Sequence, residues 1–307
     1  MFAPPADIAT RVFARLPESH LSGRPDNEWV RGQPAGSSLR SVIEGPSFDR
    51  EGNLWCVDIP NGRVFRIAPD ARLDLVTEYD GWPNGLKIHR DGRIFIADYK
   101  HGIVVLDPAS GRVLPYLERA NLERFKAVND LFFARNGDLY FTDQGLTGLH
   151  DPTGRVYRVT SAGRVDCLLD NVPSPNGLVM NHDETTLFVA VTRGNCVWRV
   201  PLMPDGSVSK VGIFIQLSGG MGPDGLALDD AGNLVVAHTG LGSVWVFDAQ
   251  GEPLYRIRSC EGRHTTNVAY GGPDNRTLYI TESATGTILC ADLPTAGKLM
   301  YSHQAAD

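Results

Sequence analysis

The sequence predicts an all-β fold, a six-bladed β-propeller with four antiparallel strands per blade. Three observations predict it: a segment pattern that recurs six times, a blade-length period, and room for four short strands in each period. The segments are EGPSFDREGNLWCVD from Glu44, NGLKIHRDGRIFIAD from Asn84 and NDLFFARNGDLYFTD from Asn129. They continue with NGLVMNHDETTLFVAV from Asn176, DGLALDDAGNLVVAH from Asp224 and NVAYGGPDNRTLYITE from Asn267. Successive starts lie 40, 45, 47, 48 and 43 residues apart.

Each segment opens on a carboxylate or carboxamide residue. An apolar strand follows, then a turn rich in Asp, Asn and Gly, then a second apolar strand. Asp91-Gly92, Asn136-Gly137 and Ala231-Gly232 mark tight hairpins in which glycine supplies a positive φ. Third and fourth strands follow the obvious pair. GRVFRI and LDLVTEY follow CVD, GRVYRV and RVDCLLD follow FTD, and SVWVFD and PLYRIRS follow VAH. A β-sandwich does not require six units that begin with the same chemistry. Residues 1–307 therefore read as a single propeller domain, with six blades in 44–303 and an N-terminal extension in 1–43. Within that extension Thr10–Leu16 is strand-like, and it is the expected ring-closing segment because pairing with the last blade removes an exposed edge. Lys298–Ser302 is the alternative, and the sequence does not choose between them.

Composition excludes several function classes. Glycine (33) and proline (20) are spread along the 307 residues, as many short strands and turns require. The formal charge of -7 comes from scattered carboxylates, and no basic patch is present. Nucleic acid and anionic membrane are therefore not expected partners. The start, MFAPPADIATRVFARLP, lacks the apolar core of a signal peptide, and no apolar stretch is long enough to cross a bilayer. Five cysteines (Cys56, Cys167, Cys196, Cys260 and Cys290) form no C-x-x-C. An odd, scattered set predicts reduced thiols, most of them buried and inert, and a cytoplasmic location. Oligomeric state is left open.

The first strand of a propeller blade lines the central channel. The six opening residues Glu44, Asn84, Asn129, Asn176, Asp224 and Asn267 are therefore expected to converge there. All offer side-chain oxygen. Collecting that much oxygen at a buried axis is costly without a counter-charge, and two neighbouring carboxylates repel. One bound divalent cation removes both problems. Oxygen-only ligation favours Ca²⁺, with Mg²⁺ or Mn²⁺ as alternatives and Zn²⁺ as a less natural substitute. Asn84, Asn129 and Asn267 are also candidate substrate contacts. The longest loop, Gln144–Thr153, is expected on the same face, and it makes His150 a further candidate. His238, Thr239 and His264 also fall near that face, and the two histidines read as packing residues. Trp82, Tyr99 and Met221 read as wall or rim packing. No G-x-S-x-G and no spacing for a Ser-His-Asp arrangement is present, which argues against a covalent nucleophile.

With repeat and ligands laid out, the chain resembles the senescence-marker-protein/gluconolactonase/luciferin-regenerating-enzyme family, nearest its bacterial gluconolactonase-like members. The resemblance rests on EGP at Glu44, ND at Asn129, PNG with Asn176, PDG with Asp224 and the TTNVAYGG stretch holding Asn267. It implies a propeller with Ca²⁺-type ligands, in which Glu44, Asn176 and Asp224 match three protein ligands. Asn129 matches a fourth position that binds metal or substrate. It also implies a small-molecule lactone substrate, often a sugar lactone, and a metal-dependent hydrolase. Asp224 is then the expected general base, in competition with acidified water, and Asn129 the second catalytic residue. Two departures matter. Ala127, with Lys126 beside it, stands where sugar-lactonase members of animal type carry Arg, which weakens the case for sugar recognition. Ala269 stands where fluorophosphatase-like members carry His, which counts against phosphotriesterase activity. The alternatives are a phosphotriesterase or arylesterase on the same site and a non-catalytic calcium-binding propeller. A carbon–nitrogen condensing enzyme of strictosidine-synthase type is disfavoured, because such relatives generally lack the metal quartet.

Overall fold

Six antiparallel sheets of at least four strands stand around a central channel. The computed structural model describes residues 4–21, 27–33 and 40–304. The innermost strands of blades one to six are Ile43–Phe48, Pro83–Ile88, Val128–Phe133, Pro175–Met180, Gly222–Leu228 and Thr265–Gly271. Each innermost strand packs against those of the two neighbouring blades, and the sixth packs against the first, so the ring is closed.

The closing strand comes from the N-terminus. Blade six takes three strands from its own repeat, and Arg11–Arg15 pairs antiparallel with Thr287–Asp292 as the fourth. Just before it, Ala6–Ala9 adds to blade five as a parallel fifth strand on Pro253–Arg258. This second use of the N-terminal segment is not foreshadowed by the repeat. The alternative closing segment lies elsewhere. Lys298 donates to the carbonyls of Met180 (3.0 Å) and Asn181 (3.1 Å), and Arg50 donates through Nε to the Ser302 carbonyl (2.8 Å). Lys298–Ser302 thus crosses the face that carries the first-to-second-strand hairpins. Those hairpins have the expected geometry, with Gly92, Gly137 and Gly232 at φ of 89°, 85° and 83°.

The core is a set of wedges between adjacent blades. Trp55, Val57 and Val64 of blade one meet Leu86, Ile94 and Ile96 of blade two. Phe95 and Ala97 of blade two meet Leu131 and Phe141 of blade three, and equivalent clusters continue round to Ile288 against Ile43. First and second strands are sandwiched between neighbours and read as near-continuous apolar runs. Fourth strands such as Arg112–Leu117 face solvent and are largely exposed. All five cysteines are free; Cys56, Cys196 and Cys290 are buried, while Cys167 and Cys260 are exposed. Among the described residues no helix is long and apolar enough to cross a membrane.

Candidate active site

Every innermost strand breaks register at the same place. In blade two Pro83 pairs with Asp98 and the ladder resumes at Leu86 with Ile96. The same step occurs at Val128/Leu131, Pro175/Leu178 and Pro223/Leu226, and between Glu44 and Ser47 in blade one. Bulges of this kind re-aim side chains out of the sheet's ordinary alternation. The bulges hold Glu44, Asn84, Asn129, Asn176 and Asp224 at equivalent positions. Blade six differs from the expected alignment: its step runs from Thr265 to Val268, so Thr266 holds the equivalent position and Asn267 lies one residue further on. Thr266 turns its hydroxyl to the Ile43 carbonyl (2.9 Å), which pins blade six to blade one.

The position after the opening residue explains the glycines of PNG, PDG and EGP. A Cβ on Gly45 would lie 2.6 Å from the Asn84 carbonyl oxygen, and one on Gly177 would lie 2.4 Å from that of Asp224. Close approach of the next blade demands glycine there. Only blades three and six of the ring replace it, with Asp130 and Asn267. These two meet across the channel: Asn267 donates through Nδ2 to Asp130 Oδ2 (3.3 Å) and to Glu44 Oε2 (2.8 Å). Asp130 is a third axial carboxylate, adjoining the expected set.

Glu44, Asp130 and Asp224 are all buried. Burial, and then the Asp130 charge, pushes Glu44 up to about 7. Burial, followed by the charges of Glu44 and Asp130, raises Asp224 well above the carboxylate range, while a hydrogen bond from Asn176 and the Arg193 charge oppose the rise. Burial raises Asp130 too, against the opposing charge of Lys87. Glu44 and Asp224, from blades one and five, therefore share one low-dielectric space with unbalanced negative charge.

The carboxamides are oriented by a network that the sequence did not disclose. Asn129 Nδ2 donates to the Tyr99 hydroxyl (3.0 Å) and to Gln144 Oε1 (2.9 Å), so the atom Asn129 has left to offer a ligand is Oδ1. Tyr99 donates to Gln144 Oε1 (2.5 Å), and Gln144 Nε2 donates to Ser174 Oγ (2.9 Å). Tyr99 is more than packing: it links Asn84 and Asn129 and feels both Asp224 and Glu44. Gln144 opens the longest loop, which folds against blades three and four through Thr147, whose hydroxyl accepts from the Ser174 N–H (3.1 Å). His150 lies on that loop, exposed, beside Gly148 and Arg193. Arg193 is an exposed cation in the Thr192–Gly194 turn and was not foreseen. His238 is buried, with Nε2 on the Gly219 carbonyl (2.9 Å) and Nδ1 accepting from Trp245 (3.2 Å), as a packing histidine should be. The buried carboxylates that end second strands are structural as well. Asp58 accepts from Val42 N–H (3.0 Å), Asp143 from Ala127 N–H (2.8 Å) and Glu282 from His264 N–H (2.9 Å).

Among the described residues no group of three or more His, Cys, Asp or Glu side chains is arranged to hold a metal ion. The candidate set instead combines two carboxylates, Glu44 and Asp224, with the carboxamides of Asn129 and Asn176. Its donor chemistry fits a hard cation. It offers oxygen only, the nitrogen of Asn129 is already spent, and the carboxylates lack a balancing charge.

Comparison with known proteins agrees with this architecture. The family model described as "SMP-30/Gluconolactonase/LRE-like region" matches residues 42–284. The lactonase drp35 of Staphylococcus aureus (strain MRSA252) is 31% identical over 254 residues, spanning 79% of this chain and 76% of its own. The lactonase drp35 of Staphylococcus epidermidis is 32% identical over 253 residues, spanning 78% and 75%. Among solved structures, a calcium-binding protein, regucalcin, from Agrobacterium tumefaciens superposes with a TM-score of 0.77 at 24% identity, covering 99% of this chain and 100% of that one. A gluconolactonase from Xanthomonas campestris superposes at 0.74 and 22%, covering 96% and 99%.

Proposed function

Because the chain belongs to the SMP-30/gluconolactonase/LRE-like family, we propose that it is a hydrolase that opens a small lactone, a sugar lactone or a comparable ring. In this reading Glu44, Asn129, Asn176 and Asp224 hold one divalent cation, with Ca²⁺ first and Mg²⁺, Mn²⁺ or Zn²⁺ after it. The observation that carries it is the buried pair Glu44 and Asp224, each raised by burial in an oxygen-lined channel where Lys87 faces Asp130 and the cation acting on Asp224, Arg193, is exposed.

A cation held there supplies Lewis-acid polarisation of the lactone carbonyl and acidifies water. The chain's own groups do the rest. Asp224 takes a proton from the attacking water as its oxygen bonds to the carbonyl carbon. It returns that proton to the ring oxygen when the carbon–oxygen bond breaks, leaving a hydroxy acid. Tyr99 and Gln144 hold Asn129 so that Oδ1 faces the ligand role rather than the amide nitrogen. Asn84 and Asn129 border the reacting ring, as Asn267 does through Glu44, and His150 and Arg193 contact its periphery from the loops. Lys126 is tied to the Thr153 hydroxyl and does not replace the arginine of sugar-lactonase members.

A second reading, a calcium-binding propeller without catalysis, is favoured by the structural likeness to the calcium-binding regucalcin. A pH-stat panel of lactones, aryl esters and phosphotriesters, with and without chelator, separates the readings. Lactone turnover that stops with EDTA, returns with Ca²⁺ or Mn²⁺, and falls about 10²-fold or more in Asp224→Asn is expected. Turnover indifferent to EDTA overturns the metal role. Tight Ca²⁺ binding with no turnover of any substrate favours the binding protein.

A further inference from the structure

The carboxylates of the channel are not all answered by the proposed cation. Lys87, the fifth residue of the innermost strand of blade two, is buried with its Nζ 3.9 Å from Asp130 Oδ1 and 3.2 Å from the Leu86 carbonyl. Asp130 in turn meets Asn267, and Asn267 meets Glu44. This relay starts in blade two, passes to blade three, spans the channel to blade six and ends in blade one. It forms a polar floor beneath the opening residues. On the other side of the floor a cavity of about 650 Å³ opens to the opposite face, walled by Phe13, Phe48, Leu228, Tyr279 and Met300, and Lys87 is at its inner end. Gly85 makes the floor fit, because a Cβ there would lie 2.4 Å from Asp130 Oδ1.

Fully ionised, three buried carboxylates against one buried ammonium leave two negative charges, which one divalent cation balances. The nearest other cation acting on Asp224, Arg193, is exposed and screened. We propose that Lys87 is a built-in counter-ion that neutralises Asp130 and so sets the channel to accept one divalent cation at the Glu44/Asp224 end. The proposal rests on the metal reading of that end given above. Lys87 is a positioning residue: it acts on the cation through Asp130 and Asn267 and touches neither cation nor substrate.

The test is calorimetric titration of the apo protein with Ca²⁺ or Mn²⁺ alone, with thermal unfolding of each variant as a control for folding. Wild type binds one equivalent. Asp130→Asn keeps the shape of the floor but leaves Lys87 uncompensated, and binds more than about tenfold more weakly. The double variant Lys87→Met/Asp130→Asn restores the two-charge deficit and returns to within about threefold of wild type. That recovery is the readout that a purely structural role for Asp130, or direct ligation by it, does not produce. A single variant with unchanged affinity, or a folded double variant that stays tenfold weak, overturns the proposal. Should Asp130→Asn not fold, the double variant decides alone by the same criterion. A wild-type protein that binds no divalent cation overturns the metal reading itself, an outcome distinct from a wild type that binds one ion regardless of Lys87.

Discussion

Glycine after the opening residue of blades one, two, four and five is the smallest feature on which the ring depends. A Cβ on Gly225 would lie 2.0 Å from Asn267 Oδ1 and 2.6 Å from Asn267 Cα, so the neighbouring strand itself would have to move. Gly225→Ala should cost about 2 kcal/mol or more. Gly232→Ala meets only the His182 ring, at an ordinary contact distance of 3.9 Å, and strains a positive φ, at roughly 1 kcal/mol. Urea unfolding midpoints of the two variants compare them directly, and equal losses would contradict the close-approach account. The glycines of PNG and PDG were legible as repeat markers. Their steric cause was not, because it lies in the next blade. Asn267 was aligned one residue late for a related reason: TTN offers no glycine to mark the bulge, and only pairing register shows that Thr266 holds the equivalent position. Asp130, Lys87, Tyr99 and Gln144 escaped because their roles arise from contacts between blades.

At the scale of elements, the repeat announced nearly every strand, since each blade sets a polar opening residue before a short apolar strand and a second apolar strand after a turn. What it did not announce was the parallel strand Ala6–Ala9, which follows no hairpin rule and is held by pairing with Pro253–Arg258. Removing residues 1–16 strips Arg11–Arg15 from blade six and takes Ala14 and Leu16 out of the core. The truncated protein should melt lower than the full chain and self-associate with rising concentration through the bared edge of Thr287–Asp292, as scattering and calorimetry will show. At the other terminus, burial lowers Lys298 from 10.5 to about 8. Below pH 8 it is charged whether the chain is folded or not. Between about 8 and 10.5 the unfolded chain keeps a proton that the folded one releases, so this residue's contribution to stability rises as pH climbs through that window. Lys298→Met should remove that rise, read as a smaller gain, or larger loss, in Tm between pH 8 and pH 10 than in wild type.

For the molecule as a whole, the proposed cation site draws its four residues from blades one, three, four and five. Occupancy should therefore stabilise the entire ring. A cation at one hundred times its Kd adds about 2.7 kcal/mol to folding. Tm should rise with added Ca²⁺ and fall with EDTA in a thermal shift assay, and a Tm indifferent to both would count against a cation at the axis. Fold class and five of the six axial positions were readable from residue order alone, because a repeat writes its geometry once per blade.

The seam in blade six also constrains how the chain is made. Arg11–Arg15 is made before any blade, and its partner Thr287–Asp292 is the last strand of the sixth. Arg11–Arg15 must therefore persist without that partner until blade six has been made. A nascent chain stopped at blade four or five carries Arg11–Arg15 without its partner, because Thr287–Asp292 belongs to blade six, and it leaves a blade face uncovered at its growing end. Such products are natural substrates for chaperones and proteases, and the ring closes only once Thr287–Asp292 has emerged.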